Sequence, residues 1–294
     1  MNALRRVALV AGATFLLVAP GVGDEAPSAQ RGAYVFHAGG CYACHTDEKT
    51  GGQPLAGGPP LTTPFGTFYA TNITPDRDHG IGRWTDAQFL RAMREGIAPD
   101  GTHYYPVFPF TSYTKATERD LLDLKAYLST IPPVPRPDRE HEIAFPYSMR
   151  ITLIPWRWLN FTSGEWQADP ARTPAWNRGS YLVEALLHCG ECHTPRDWLG
   201  GLDRAQWMAG GRIGAGDVVA PNLTPHPNGL ADWSAEDIAF SLELGTTPHG
   251  DVFGNEMAEV VRGSTSHLSK DDRDAIAEYL KALKPLPSAV VKRP

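Results

Sequence analysis

Cysteine is scarce in this chain: four among 294 residues, in two tight pairs, too few and too clustered for a disulfide framework. A basic excess is missing too. The 27 Lys and Arg fall short of the 33 Asp and Glu, for a formal net charge of −6, which excludes nucleic acid as the expected partner, since phosphate is held by Lys and Arg. Past the first 22 residues there is no long apolar run. Residues 7–22 fall short of the roughly 20 apolar residues that a membrane span needs. Strand-like alternation is nearly absent, so the fold is expected to be mainly α. Gly and Pro are plentiful, at 29 and 26, without a collagen period.

The N-terminus reads as an export leader. Arg5 and Arg6 precede the apolar stretch, and Gly21-Val22-Gly23 offers a small-x-small cleavage site. Residues 1–23 are therefore expected to be a signal peptide and the protein to reach the periplasm.

The rest of the chain reads as a duplication. Cys41-Tyr-Ala-Cys44-His45 returns 148 residues later as Cys189-Gly-Glu-Cys192-His193. Arg31-Gly-Ala-Tyr34 matches Arg178-Gly-Ser-Tyr181, and Asn72-Ile-Thr-Pro75 matches Asn222-Leu-Thr-Pro225. Two stand-alone domains, 24–130 and 177–294, are expected rather than a stacked array. Each has a first helix (about 28–38 and 176–188), a Gly/Pro-rich stretch, a middle helix (about 85–95 and 234–244) and a last helix. Thr117 and Ser269 suit the N-caps of the last helices, with Asp120 and Asp272 as capping-box partners. The segment 131–176 is Pro-rich and holds Trp156, Trp158, Trp166 and Trp176, a composition expected to pack between the domains rather than to swing as a linker.

C-x-x-C-H is the attachment signature of c-type haem: two thiols on one turn reach the macrocycle, and the adjacent His lies under the iron. Zinc would need both Cys pairs at one tetrahedral site, yet they sit in separate domain copies. A thioredoxin-type dithiol would need a βαβ context that the sequence does not offer. Two covalently bound haem c groups follow, on Cys41, Cys44 and His45 and on Cys189, Cys192 and His193. Gly210-Gly-Arg-Ile-Gly214 lacks the strand-turn-helix setting of a dinucleotide site and reads as a turn of the haem loop.

The sixth ligands are expected to differ. From Trp84 and Trp233 onward the copies align without gaps, pairing Phe108 with Met257. Met257 is the expected sixth ligand of the second iron. Phe cannot ligate, so the first iron either takes His103, five residues upstream, or stays five-coordinate. Met93 and Met208 are expected to pack, and His79 to be solvated. Bis-His ligation at the first haem would set its potential below that of a His/Met second haem.

With these residues laid out, the chain resembles the two-domain portion of the cytochrome c subunits of periplasmic alcohol and gluconate dehydrogenases, and cytochromes paired with molybdenum hydroxylases. The resemblance rests on Thr63-Pro-Phe-Gly-Thr-Phe-Tyr-Ala-Thr-Asn72-Ile-Thr-Pro-Asp76, on Gly80-Ile-Gly-Arg-Trp84 and on Tyr105-Pro-Val-Phe-Pro-Phe-Thr-Ser-Tyr113. It implies that Asn72, Thr74, Asn222 and Thr224 line the haem edges. It also implies an electron carrier with a dehydrogenase as donor and a small cytochrome c or terminal oxidase as acceptor. Relatives often carry a third haem domain and a membrane helix. Neither is expected here, so membrane contact would come through a partner. The alternative is a dihaem redox enzyme, peroxidase-like or thiosulfate-oxidising, with haem 1 as an open site. Against the latter, all four cysteines are committed to attachment.

Overall fold

A computed structural model describes residues 25–216 and 218–290; the expected leader lies outside them. The chain is mainly helical. The first half contains α1 (Ala29–Ala38), α2 (Cys41–His45), β1 (Pro60–Thr63), β2 (Gly66–Tyr69), α3 (Asp86–Glu95), α4 (Phe110–Tyr113) and α5 (Glu118–Leu128). A connecting stretch supplies β3 (Glu142–Ile143) and α6 (Leu153–Asn160). The second half contains α7 (Pro174–Tyr181), α8 (Gly190–His193), β4 (Gly211–Arg212), β5 (Val219–Ala220), α9 (Ala235–Leu244), α10 (Asn255–Gly263) and α11 (Lys270–Lys281).

Local chemistry sets the helix ends. Thr85 and Ser234 close full capping boxes with Gln88 and Asp237, and Gly96 and Gly245 end the same helices in the left-handed conformation. Thr117 and Ser269 cap α5 and α11 as the sequence suggests. The carboxylates of Asp120 and Asp272, however, do not return to those caps; they bind tyrosines of the opposite half. The first helix of the second half departs from expectation as well. It starts at Pro174 and widens into a π-type turn over Leu182–Leu186 before His188.

In both halves the first helix crosses the last at a glycine. A Cβ on Gly32 would lie 1.8 Å from the Asp123 carbonyl oxygen, and one on Gly179 would lie 2.0 Å from that of Ala275. The arginine before each glycine clamps the crossing. Arg31 donates to both carboxylate oxygens of Asp123 at 2.6 and 2.9 Å, and Arg178 to those of Asp272 at 2.8 and 2.7 Å.

The tyrosine two residues past each glycine joins the halves. Tyr34 donates to Asp272 and accepts from the Ser269 amide at 3.1 Å. Tyr181 donates to Asp120 and accepts from the Thr117 amide at 3.2 Å. The contact is reciprocal, each first helix reaching the cap of the other half's last helix. One apolar core runs through it, from Val35, Leu121 and Leu124 to Leu182, Leu186 and Ile276.

The connecting stretch packs against both halves. β3 adds to β2, and Leu153 closes a small cluster with Phe68 and Tyr105. Trp156 donates to the Leu199 carbonyl at 2.9 Å, and Trp166 to Ser180 at 3.1 Å. Trp158 departs from this pattern and is 81% exposed. Among the described residues, no helix is long and apolar enough to cross a membrane.

Candidate functional site

The two C-x-x-C-H motifs form short helices, so each pair of thiols, three residues apart, lies on one helix face. The ring after each pair is fixed in the same way. Nδ1 of His45 donates to the Thr71 carbonyl at 2.7 Å, and Nδ1 of His193 to that of Pro221 at 2.8 Å. Donation from Nδ1 makes Nε2 the lone-pair nitrogen of each ring, and no protein group among the described residues hydrogen-bonds it. Burial lowers both imidazole pKa values, with the carbonyls acting partly against it, and this keeps the rings neutral as ligation requires.

The carbonyls are held by the residues that follow them. Oδ1 of Asn72 accepts from the Thr74 amide and hydroxyl at 3.0 and 2.7 Å; Asn222 does the same with Thr224 at 2.8 Å each. The amide of Asn72 donates to the carbonyls of Val134 and Arg136, and that of Asn222 to Leu286. All four side chains are buried, and they tie the chain returning from each last helix beneath the His-bearing loop.

The loops under the two attachment helices also match. Leu55 and Met208 both sit at positive φ, and their amides donate to Thr46 and Thr194 at 3.0 Å. Met208 is fully buried and packs, as expected. A Cβ on Gly58 would fall 1.7 Å from the Cys44 carbonyl oxygen, and one on Gly211 would fall 2.4 Å from that of Cys192. Close passage beneath the second cysteine pair accounts for Gly211.

All four thiols are free. Burial pushes Cys41 and Cys189 up to about 12 and Cys192 up to about 11. A dithiol oxidoreductase depends on a depressed thiol pKa, so this environment speaks against that chemistry. Among the described residues no group of three or more His, Cys, Asp or Glu side chains is placed to hold a metal ion. Free paired thiols on one helix face, beside a neutral His with its Nε2 unpartnered, fit covalent haem.

The candidate sixth ligands sit in unequal settings. Met257 is half-buried on α10, which packs against α2 of the other half. Phe108 lies in an aromatic chain, 5.6 Å from Tyr104 and 5.7 Å from Tyr113. The bridge pairing Ile97 with His103 recurs as Thr246 with Val252, so His103 stands where the second half has an exposed valine. Nδ1 of His103 is buried without a hydrogen-bond partner, and its carbonyl accepts from Arg150 at 2.5 Å. Burial lowers its pKa, helped by Arg157 and Arg91. Met93 is buried in the core, and His79 is exposed.

Sequence reasoning missed the residues between the two attachment helices. Glu191, inside the second C-x-x-C, accepts from Thr111 and Ser112 of α4 at 2.9 Å each and from Arg196 at 2.5 Å. Tyr113 donates to the Gly39 carbonyl at 3.0 Å and packs edge-on against His188, 5.5 Å away. No spacing rule points to these residues. The Arg-Gly-x-Tyr repeat was the one visible signal of the tyrosine contacts.

Residues 29–132 match the family model "Cytochrome c". The chain is 49% identical over 256 residues to a "Diheme cytochrome c-type" protein of Cereibacter sphaeroides, covering 86% of this chain and 85% of the relative. It is 43% identical over 270 residues to the cytochrome c subunit of a quinone alcohol dehydrogenase from Gluconacetobacter polyoxogenes. It is also 40% identical over 260 residues to the fructose dehydrogenase cytochrome subunit of Gluconobacter japonicus. These two matches cover 88% and 87% of this chain, but only 56% and 53% of the relatives.

Proposed function

Because the chain belongs to the cytochrome c family and therefore binds haem c covalently, we propose that it is a periplasmic dihaem electron carrier serving a dehydrogenase. Two cytochrome c domains, 24–130 and 177–294, each carry one haem, on Cys41, Cys44 and His45 and on Cys189, Cys192 and His193. The segment 131–176 braces them, and the leader 1–23 directs export. The supporting observation is the repeated site: two C-x-x-C-H helices, each with its His Nδ1 on the carbonyl that precedes a buried Asn. The named relatives from Gluconobacter and Gluconacetobacter are subunits of fructose and alcohol dehydrogenases. By that likeness a dehydrogenase gives electrons to this chain, and a small cytochrome c or a terminal oxidase takes them.

The haem supplies one-electron chemistry; the protein holds it, sets its potential and controls access to its edge. Met257 ligates the second iron. His103, with its unpartnered Nδ1, takes the first, which places the first potential below the second. A second reading is favoured by Phe108, packed between Tyr104 and Tyr113, and by the cationic neighbours of His103: an open first iron able to react with peroxide.

Haem staining and mass measurement test the count of two. Electron paramagnetic resonance of the oxidised wild type, Met257→Ala and His103→Ala tests the ligands. The proposal expects each variant to convert one low-spin signal to high spin. A His103→Ala spectrum identical to wild type refutes that ligand, and a wild-type high-spin haem that reacts with peroxide moves the function to the enzyme. Redox titration finding equal potentials, or the first one higher, refutes the downhill order.

A further inference from the structure

The residue just before each C-x-x-C-H motif has a positive φ, but the two halves fill the position differently. Before Cys41 stands Gly40 at φ 61°, and before Cys189 stands His188 at φ 42°. Glycine adopts this conformation freely, whereas a histidine is strained in it. A π-type turn over Leu182–Leu186 lies just upstream, a distortion often found at functional sites. Backbone strain persists where the surroundings hold it, and here they hold the ring across the interface between the halves.

Nε2 of His188 lies 3.4 Å from the Gly39 carbonyl oxygen, which also accepts the Tyr113 hydroxyl at 3.0 Å. Gly39 is two residues before Cys41, and a Cβ built on it would be 3.4 Å from both the Cys41 Sγ and the Tyr113 hydroxyl. The two rings pack edge to face, 88° apart. One bonded route from Cys189 runs through the adjoining His188 ring, across one hydrogen bond, and along Gly39 and Gly40 to Cys41. The reciprocal tyrosine contacts, by contrast, join first helices to last-helix caps.

We propose that His188, supported by Tyr113, is the internal electron-transfer contact between the two haem attachment helices. The inference rests on the dihaem reading. One electron leaves the ferrous iron of one half, which becomes ferric, and reduces the ferric iron of the other. No bond is made or broken, and no proton is required.

The test is internal electron transfer in the intact dihaem protein after flash reduction, with spectra, potentials and thermal midpoint recorded for each variant. His188→Gly removes the ring and suits the backbone angle, so folding is expected to be retained. Transfer is expected to slow about tenfold while both haem spectra and potentials stay as in wild type. Tyr113→Phe keeps its ring but loses its hydrogen bond, and is expected to slow transfer less. His188→Asn, which also tolerates the left-handed region, is the second variant should the glycine fail to fold, and the same loss is expected. Wild-type rates in the folded ring-deleted variant, with both haems attached, overturn the proposal. Fewer than two haems in the wild type overturns the dihaem reading instead.

Discussion

Replacing Gly32 by Ala sets two opposed effects against each other at one atom. In a helix interior, Ala is favoured over Gly by roughly 0.5–1 kcal/mol. The new Cβ, however, would meet the Asp123 carbonyl oxygen at 1.8 Å, the Asp123 carbonyl carbon at 2.5 Å and the Tyr127 Cβ at 2.8 Å. An ordinary carbon–oxygen contact is about 3.3 Å or more, so α1 and α5 must part by more than an ångström, and two of these obstacles are backbone. Arg31 cannot follow freely, since its guanidinium grips the carboxylate of the same Asp123. Overpacking of this kind costs typically 1–3 kcal/mol. The clash wins, with an expected net loss of about 1–2 kcal/mol and a fall in midpoint of roughly 2–8 °C for a chain of this size. The assay is thermal unfolding of the haem-loaded protein followed by far-ultraviolet circular dichroism. Gly263→Ala is the control: it ends α10 with nothing within 4 Å of the added carbon, and it should leave the midpoint unchanged or raise it. A Gly32→Ala protein at least as stable as wild type refutes the crossing argument.

Tyr34→Phe and Tyr181→Phe each remove one partly buried hydroxyl that both donates and accepts across the halves. Each should cost about 1 kcal/mol, and the double variant should lose the sum, because the two contacts share no partner. Denaturant titration checks this, and a double-variant loss equal to either single loss would show that the contacts are not independent. Asp272 predicts a pH dependence. Burial acts to raise its pKa, but the hydrogen bonds from Arg178 and Tyr34 outweigh it and hold the folded-state value below the ordinary one. Its contribution is therefore complete above the unfolded carboxylate pKa of about 3.9 and is lost as pH falls through the lower folded value. In acid titrations Asp272→Asn should be less stable at neutral pH and show a shallower loss below about pH 4. An unchanged slope counts against the assignment.

Helix starts and the C-x-x-C-H motifs are legible in the sequence, because their signals are local. Capping residues at Thr85, Thr117, Ser234 and Ser269 mark helix starts, and C-x-x-C-H carries its own spacing. Signals that depend on a second element were not. Asp120 and Asp272 have the spacing of capping-box partners, and only the packed halves show that the opposing tyrosines claim them. Family likeness implies that Asn72 and Asn222 line the haem edges, and only the packed structure shows that their side-chain amides also bind backbone returning more than 60 residues later. The widening of the second half's first helix and the angle of His188 have no sequence signature at all, since the residues there are ordinary helix formers.

The reciprocal tyrosine contacts have the form of an isologous interface, in which residue i of one copy meets residue j of the other and j meets i. In a true homodimer every substitution is imposed on both partners at once. Here the two matched helix pairs lie on one chain, so matched positions are free to differ one at a time while the shared contacts are kept. Phe108 opposite Met257, and Gly40 opposite His188, are divergences of that kind. Symmetry is kept in the fastening and relaxed at positions that lie away from it.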